Sequence, residues 1–377
     1  MSLTGSAGSA ARVVGLLSTE GFRLARDRMA RGDDVPSSVD ELDAAVLEDL
    51  IGTPVRSVER IDVARGTTDR ARLALDGPSV PATVFAKLAP VDRRVRFFGN
   101  LARLGATEVG FYRDIRPVAD VAAPSVLGQR FDPRTGRYVL VLEDLEARGA
   151  EFRDVEDCFD VAEARAALTT LAGLHASLAA GRAGDLNRRW PWMTTLSGDR
   201  LTPVMTPVLR RLVRRVGRRD PDLVPDGVPA MVADYGSVTR VLDDGAVTVL
   251  HGDPHPGNWF LDGDGAGLLD WQAARIGNPL RDVAYFLVLS LTTDDRRHAE
   301  RDLLAWYGDA VAERGGPALD LDATWRTYRA MVVYPYVAAM FTAGFGGMQD
   351  EQLAFDGLRR AAAAVRDLDA VAAVRSS

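Results

Sequence analysis

Along the first fifty residues the apolar positions recur at helical spacing. Val13, Leu16, Leu17 and Leu24 predict an amphipathic helix over 13–31, ended by Asp33-Asp34-Val35-Pro36. Ser38-Val39-Asp40-Glu41 has the form of a capping box, and Leu42, Val46 and Leu50 predict a second helix that stops at Gly52. From Val55 the period shortens. Val58, Ile61 and Val63, then Leu73 and Leu75, predict two strands on either side of the polar stretch Arg65-Gly66-Thr67-Thr68-Asp69-Arg70, with a turn at Asp76-Gly77-Pro78. Val84-Phe85-Ala86-Lys87-Leu88 predicts a third strand, and a helix is expected over 93–115. Two more strands, 125–132 and 137–142, are joined through Asp132-Pro133-Arg134-Thr135-Gly136. The pattern then turns helical: Leu168, Leu171, Leu174 and Leu178 mark one helix, and others are expected near 283–291, 297–314, 323–343 and 352–373.

Strand signals return once, between Val247 and Asp282. Val247, Val249 and Leu250 read as a buried strand stopping at His251, and Leu268 and Leu269 as another stopping at Asp270. Between them Asp253-Pro254-His255-Pro256-Gly257-Asn258 cannot continue a strand, because two prolines and a glycine impose turns. The polar side chains are therefore held on a tight loop. Phosphoryl transfer to a hydroxyl needs such a set: Asp253 to orient the attacking hydroxyl and accept its proton, and the Asn258 amide oxygen and the Asp270 carboxylate to hold magnesium. A metal hydrolase is the rival reading. His251, Asp253 and His255 alternate, and imidazole with carboxylate is a competent ligand set for zinc. That rival gives Asn258, Asp270 and the N-terminal half no part. His255 alone also fits a solvated loop position.

Composition changes the picture at a few points. A chain of 377 residues with 47% hydrophobic and 26% charged residues suits a soluble protein of more than one core. Its net charge of −7 lacks the basic footprint of a nucleic-acid binder. No run approaches the eighteen apolar residues of a membrane span, and the N-terminus lacks a basic segment ahead of an apolar one, so neither membrane nor secretory signal is expected. A single cysteine, Cys158, excludes an internal disulfide; it fits a reducing compartment and a cytoplasmic location, and reads best as an apolar filler. Among the 46 basic residues Lys87 is the one lysine. A lysine kept where arginine is used everywhere else marks chemistry that needs a compact ammonium rather than a planar fork.

His251-Gly252-Asp253-Pro254-His255-Pro256-Gly257-Asn258, then Leu269-Asp270-Trp271-Gln272, then Gly277-Asn278-Pro279-Leu280-Arg281-Asp282, closely resemble the catalytic region of the aminoglycoside phosphotransferase and choline kinase-like families. Asp282-Val283-Ala284-Tyr285-Phe286 resembles most the ecdysteroid kinase-like branch. The resemblance spans about residues 50–345. It implies an α+β, protein-kinase-like two-lobed fold: an N-terminal helical extension (1–52), a nucleotide-binding lobe with a small antiparallel sheet (53–143), and a helical lobe with the catalytic loop and acceptor site (144–377).

The resemblance also implies roles. Lys87 stands where kinases carry the lysine that contacts the nucleotide phosphates, and Glu108 matches its partner glutamate, a solvated helical position being the alternative. The loop at Gly66 matches the nucleotide-covering loop, although one glycine also suits an ordinary hairpin. Glu143 and Leu145 fall at the hinge where backbone groups bind adenine. His251 and Asp282 are expected to support the catalytic loop, and His175 to be structural. Trp190 and Trp192 belong to a segment that approaches the acceptor in similar proteins, or else pack between helices. The implied activity is transfer of a phosphate from ATP, with magnesium, to a hydroxylated small molecule of aminoglycoside-, macrolide-, choline- or steroid-like type. A protein kinase would need a longer segment between Asp270 and Asp282, and a non-catalytic relative should have lost at least one of Lys87, Asp253, Asn258 and Asp270.

Overall fold

A computed structural model describes residue 15 and residues 17–27, 35–347 and 349–376. Positions 17–27 are helical, while Val13, Leu16 and Arg31 of the expected first helix lie outside the described residues. The chain forms two compact units. One comprises the described residues up to Pro117 with Ala123–Ala150 and Asp270–Ala273; the other comprises Val118–Ala122, Glu151–Leu269 and the described residues from Ala274 onward.

In the first unit, β1 (Ser57–Arg65), β2 (Asp69–Asp76), β3 (Thr83–Leu88), β4 (Val126–Phe131) and β5 (Tyr138–Glu143) form one antiparallel sheet in the order β1-β2-β3-β5-β4. Alternation sets its faces. Ala71, Leu73 and Leu75 of β2 and Val84, Ala86 and Leu88 of β3 point into one core with Val139 and Val141 of β5. Val39, Leu42 and Leu47 fill the same core, so the segment ahead of the sheet is built into this unit. The helix Ala44–Ile51 ends at Gly52 as expected, with the glycine at φ 75°. It does not begin at a capping box on Ser38, whose side chain caps nothing. Asp43 caps it instead, accepting from the Val46 N–H at 2.9 Å, and the Glu41 carboxylate turns back to Ser37.

The helix expected over 93–115 is divided. Arg93–Leu101 is capped by Asp92, Arg103 adopts a left-handed φ of 62°, and Leu104–Gly110 then leads into a π-helical turn, Phe111–Ile115. The break lets the second segment approach the sheet closely. A Cβ at Gly105 would lie 2.2 Å from the Tyr138 ring of β5, so only glycine permits the contact.

The second unit is mostly helical. Val161–Ser177 opens with a capping box of Asp160 and Glu163 and packs against Thr293–Glu313. Leu280–Ser290 is buried at every position, as an all-round apolar sequence requires, and its two charged residues, Arg281 and Asp282, are paired internally. Two helices expected as single pieces are broken. Leu321–Met331 is separated from Val333–Phe345, whose first turn contains Pro335, a residue that cannot donate to a preceding turn. Likewise Glu351–Asp367 is separated from Ala370–Ser376 at Asp369, where φ is 47°. Small strands serve the central loop. β6 (Glu151–Phe152) pairs with β8 (Trp259–Asp262), β8 with β9 (Gly265–Leu268), and β7 (Thr248–Leu250) with β10 (Arg275–Gly277). Among the described residues no helix is long and apolar enough to cross a membrane.

Candidate active site

In the sheet unit, β3 carries Lys87 on the face opposite Val84 and Ala86, where it meets two carboxylates. Its Nζ donates to Glu108 Oε1 at 2.8 Å and to Asp270 Oδ1 at 2.9 Å. Glu108 comes from the Leu104–Gly110 segment that the left-handed Arg103 re-aims. Asp270 itself has a left-handed φ of 57°, a strained backbone for a non-glycine residue. Next to it, the Trp271 ring stacks on Phe111 at 3.6 Å and 4°.

One ammonium thus serves two carboxylates. Burial pushes the Glu108 carboxyl up to about 7, against the pull of Lys87 and with help from Asp270. Burial would lower the Lys87 ammonium, but Asp270 and Glu108 together outweigh it and hold it above its usual range, so it stays charged. The cluster has negative charge in excess. A cation that took an Asp270 oxygen would relieve it.

The remaining residues expected to touch nucleotide are arranged less directly. Gly66 lies in the exposed β1–β2 turn, with the Arg70 guanidinium nearby. The Glu143 N–H is spent on Ser125 O at 2.9 Å, and its carboxylate accepts from Ser125 N at 2.9 Å and Arg148 at 2.6 Å. Leu145 is buried and opens a short 3-10 turn, Leu145–Arg148, which Asp144 caps while pairing with Arg72 at 2.6 Å.

In the helical unit, the loop after β7 is held from several sides. Asp282 accepts the backbone N–H of His251 at 2.6 Å and of Gly252 at 3.0 Å, and Gly252 has the φ of 87° that this turn needs. Burial alone would raise the Asp282 carboxyl. The His175 hydrogen bond and charge, His251 and the Gly252 N–H outweigh that and hold it below the usual carboxylate range. His175 is in turn fixed by Tyr307 at 2.9 Å.

The loop also braces itself. His251 donates from Nε2 to Leu269 O at 2.7 Å and accepts the Asp253 N–H on Nδ1 at 3.3 Å. Both ring nitrogens are thus committed to backbone, not aimed with Asp253 and His255 at one ion. Among the described residues no group of three or more His, Cys, Asp or Glu is arranged to hold a metal. Asn258 donates from Nδ2 to Asp253 O at 2.8 Å, leaving its Oδ1 as the atom a hard cation would take. Leu269, the residue before Asp270, donates its N–H to Asn258 O at 2.8 Å.

Residues that the sequence did not assign complete the loop. Tyr285 donates to Asp253 Oδ1 at 2.5 Å and Tyr334 to Gly252 O at 2.8 Å. Tyr285 could have been noticed, since it lies three positions after Asp282 on one helix and so shares its face. Tyr334 could not, for it is 82 positions from Gly252. Arg281 pairs with Asp243 at 2.8 Å, whose other oxygen takes the Ser197 N–H at 2.6 Å, and Gly277 leaves the room this guanidinium needs.

Residues 86–330 match the phosphotransferase enzyme family, APH, over more than half of the chain. The chain belongs to that family. As a member it is a small-molecule phosphotransferase, with the expected α+β kinase-like fold. The match is to the family as a whole and does not single out the ecdysteroid kinase-like branch.

Among solved structures, a candidate aminoglycoside phosphotransferase of Ralstonia eutropha is similar at 15% identity and a TM-score of 0.51, covering 89% of this chain and 98% of that one. A choline/ethanolamine kinase family protein of Mesorhizobium loti gives 16% and 0.45 over 88% and 98%. Macrolide 2'-phosphotransferase of Brachybacterium faecium gives 18% and 0.45 over 81% and 94%. No curated protein matches the chain.

Proposed function

We propose that this phosphotransferase moves the γ-phosphate of ATP to a hydroxyl of a small molecule of aminoglycoside-, macrolide-, choline- or steroid-like type. The observation that carries the reading is the placement of the one lysine, buried between Glu108 and Asp270. In this account Lys87, positioned by Glu108, contacts the nucleotide phosphates. Asp253 orients the acceptor hydroxyl and takes its proton. His251 and Asp282 keep the loop in shape, and Gly66, Glu143 and Leu145 lie along the nucleotide.

Asp270 and Asn258 Oδ1 would hold magnesium, and the donor set suits it: one hard carboxylate and one amide oxygen leave most positions to water and phosphate. The excess carboxylate on Lys87 supports the same assignment. When bound, magnesium neutralises charge that develops on the transferring phosphoryl group.

The test is ADP release from magnesium-ATP across a panel of antibiotics and hydroxylated metabolites. Stimulation by one compound class, abolished in Asp253→Ala by about a hundredfold or more while nucleotide binding persists, is the expected outcome. Parent-like turnover in that variant would remove Asp253 from the chemistry. An activity that needs no ATP and follows zinc through chelation and add-back would return the hydrolase reading.

A further inference from the structure

The carboxylate expected to accept the proton has two chemically equal oxygens, and the structure treats them differently. Oδ1 of Asp253 receives the Tyr285 hydroxyl at 2.5 Å. Oδ2 has no such tie; its nearest ring nitrogen is His255 Nε2 at 4.0 Å, and the Asp253 side chain keeps 30% of its exposure. A carboxylate tied at one oxygen cannot rotate freely, so its other oxygen points in a fixed direction.

Tyr285 is itself well anchored. It sits on the fully buried Leu280–Ser290 helix, three positions after Asp282. One helix face therefore grips the loop twice, through its backbone at His251 and Gly252 and through its side chain at Asp253. The Tyr285 ring packs on that of Tyr334 at 5.7 Å, and Tyr334 is fixed by its bond to Gly252 O and by the Arg281 guanidinium 5.0 Å from its ring. Burial and the neighbouring Asp253 charge keep the Tyr285 phenol well above its usual range, so it remains a donor.

We propose that Tyr285 is a positioning residue for phosphoryl transfer, tying down Oδ1 of Asp253 so that Oδ2 alone meets the acceptor hydroxyl. The inference rests on the reading of Asp253 as the proton acceptor. In the step, a bond forms between the acceptor oxygen and the γ-phosphorus as the bond from that phosphorus to the ADP oxygen breaks. The acceptor proton passes to Oδ2. Tyr285 keeps its own proton throughout, acting through Asp253 and not on the substrate.

The experiment compares the parent, Tyr285→Phe, Asp253→Asn and the double variant. Rates are read as ADP release from magnesium-ATP, with water as acceptor and with any panel compound that stimulates turnover; melting and nucleotide binding are measured on each. Tyr285→Phe should stay folded, bind magnesium-ATP as the parent does and keep its KM values within about twofold, yet lose about tenfold or more in kcat, the scale of one hydrogen bond to a charged group. The double variant should be no slower than Asp253→Asn alone, because the tyrosine acts only through that carboxylate. Parent-like kcat in Tyr285→Phe would overturn the proposal, as would a further equal loss in the double variant. Full activity in Asp253→Asn alone would instead overturn the assignment on which the proposal rests, so the two failures are distinguishable.

Discussion

Lys87 Nζ stands 2.9 Å from Asp270 Oδ1, a residue 183 positions further along the chain. The same ammonium is 2.8 Å from Glu108, so one point charge is shared between two carboxylates inside a nearly closed environment. A guanidinium in its place would be broader and would favour bidentate pairing with one carboxylate. Lys87→Arg should therefore keep the fold, with an overpacking cost of about 1–3 kcal/mol, and lose phosphoryl transfer by about a hundredfold. Melting curves and ADP release on the same samples check both halves; an arginine variant that turns over normally would show that compact charge is not what the position requires.

Asp270→Asn removes an anion but leaves an amide oxygen that can still accept from Lys87. The expected result is a folded protein whose half-maximal magnesium concentration rises by about tenfold or more, since an outer- or inner-shell change at a metal site costs at least that. Coincident magnesium titrations of variant and parent would take Asp270 out of the metal's coordination.

Asp282 is buried, and its carboxylate satisfies two backbone N–H groups of the loop. Asp282→Ala should destabilise the protein by roughly 2–6 kcal/mol, from about 1–3 kcal/mol for each orphaned donor. The acid limb carries a second signature. A carboxyl held below its unfolded value of about 3.9 contributes stability that is fully present above that pH and is lost as pH falls through the folded value. The stability gap between the parent and Asp282→Asn should thus be full above about pH 5 and close in stronger acid. Equilibrium unfolding across that range measures it; a gap that widens in acid would contradict the sign.

Much of this arrangement is legible in the chain. The five-stranded sheet follows from short-period alternation, and the polar turn Asp253–Asn258 from two prolines and a glycine that no strand accommodates. Helix continuity is less legible. Arg103 and Asp369 take left-handed conformations that their side chains do not announce, because the breaks are set by packing, as Gly105 against Tyr138 shows. Capping was misplaced for a related reason. Ser38 and Asp43 are both competent caps, and only the burial of Leu42 within the sheet core decides for Asp43. In the loop, residues that define chemistry lie close in sequence; Tyr285 is marked only by sharing a helix face with Asp282, and Tyr334 reaches the loop through a tertiary contact that no local pattern encodes.

The claim that Lys87 contacts the nucleotide phosphates has a direct chemical test. Lys87 is the chain's one lysine, so apart from the N-terminal amine it is the one primary amine available for acylation. An acyl-phosphate derivative of ATP, which delivers its acyl group to an amine beside the bound phosphates, is reacted with the protein and the modified peptides are read by mass spectrometry. Modification of the Lys87 peptide, suppressed by saturating magnesium-ATP, is the expected result. Labelling of Lys87 that magnesium-ATP leaves unchanged would place the phosphate contact elsewhere.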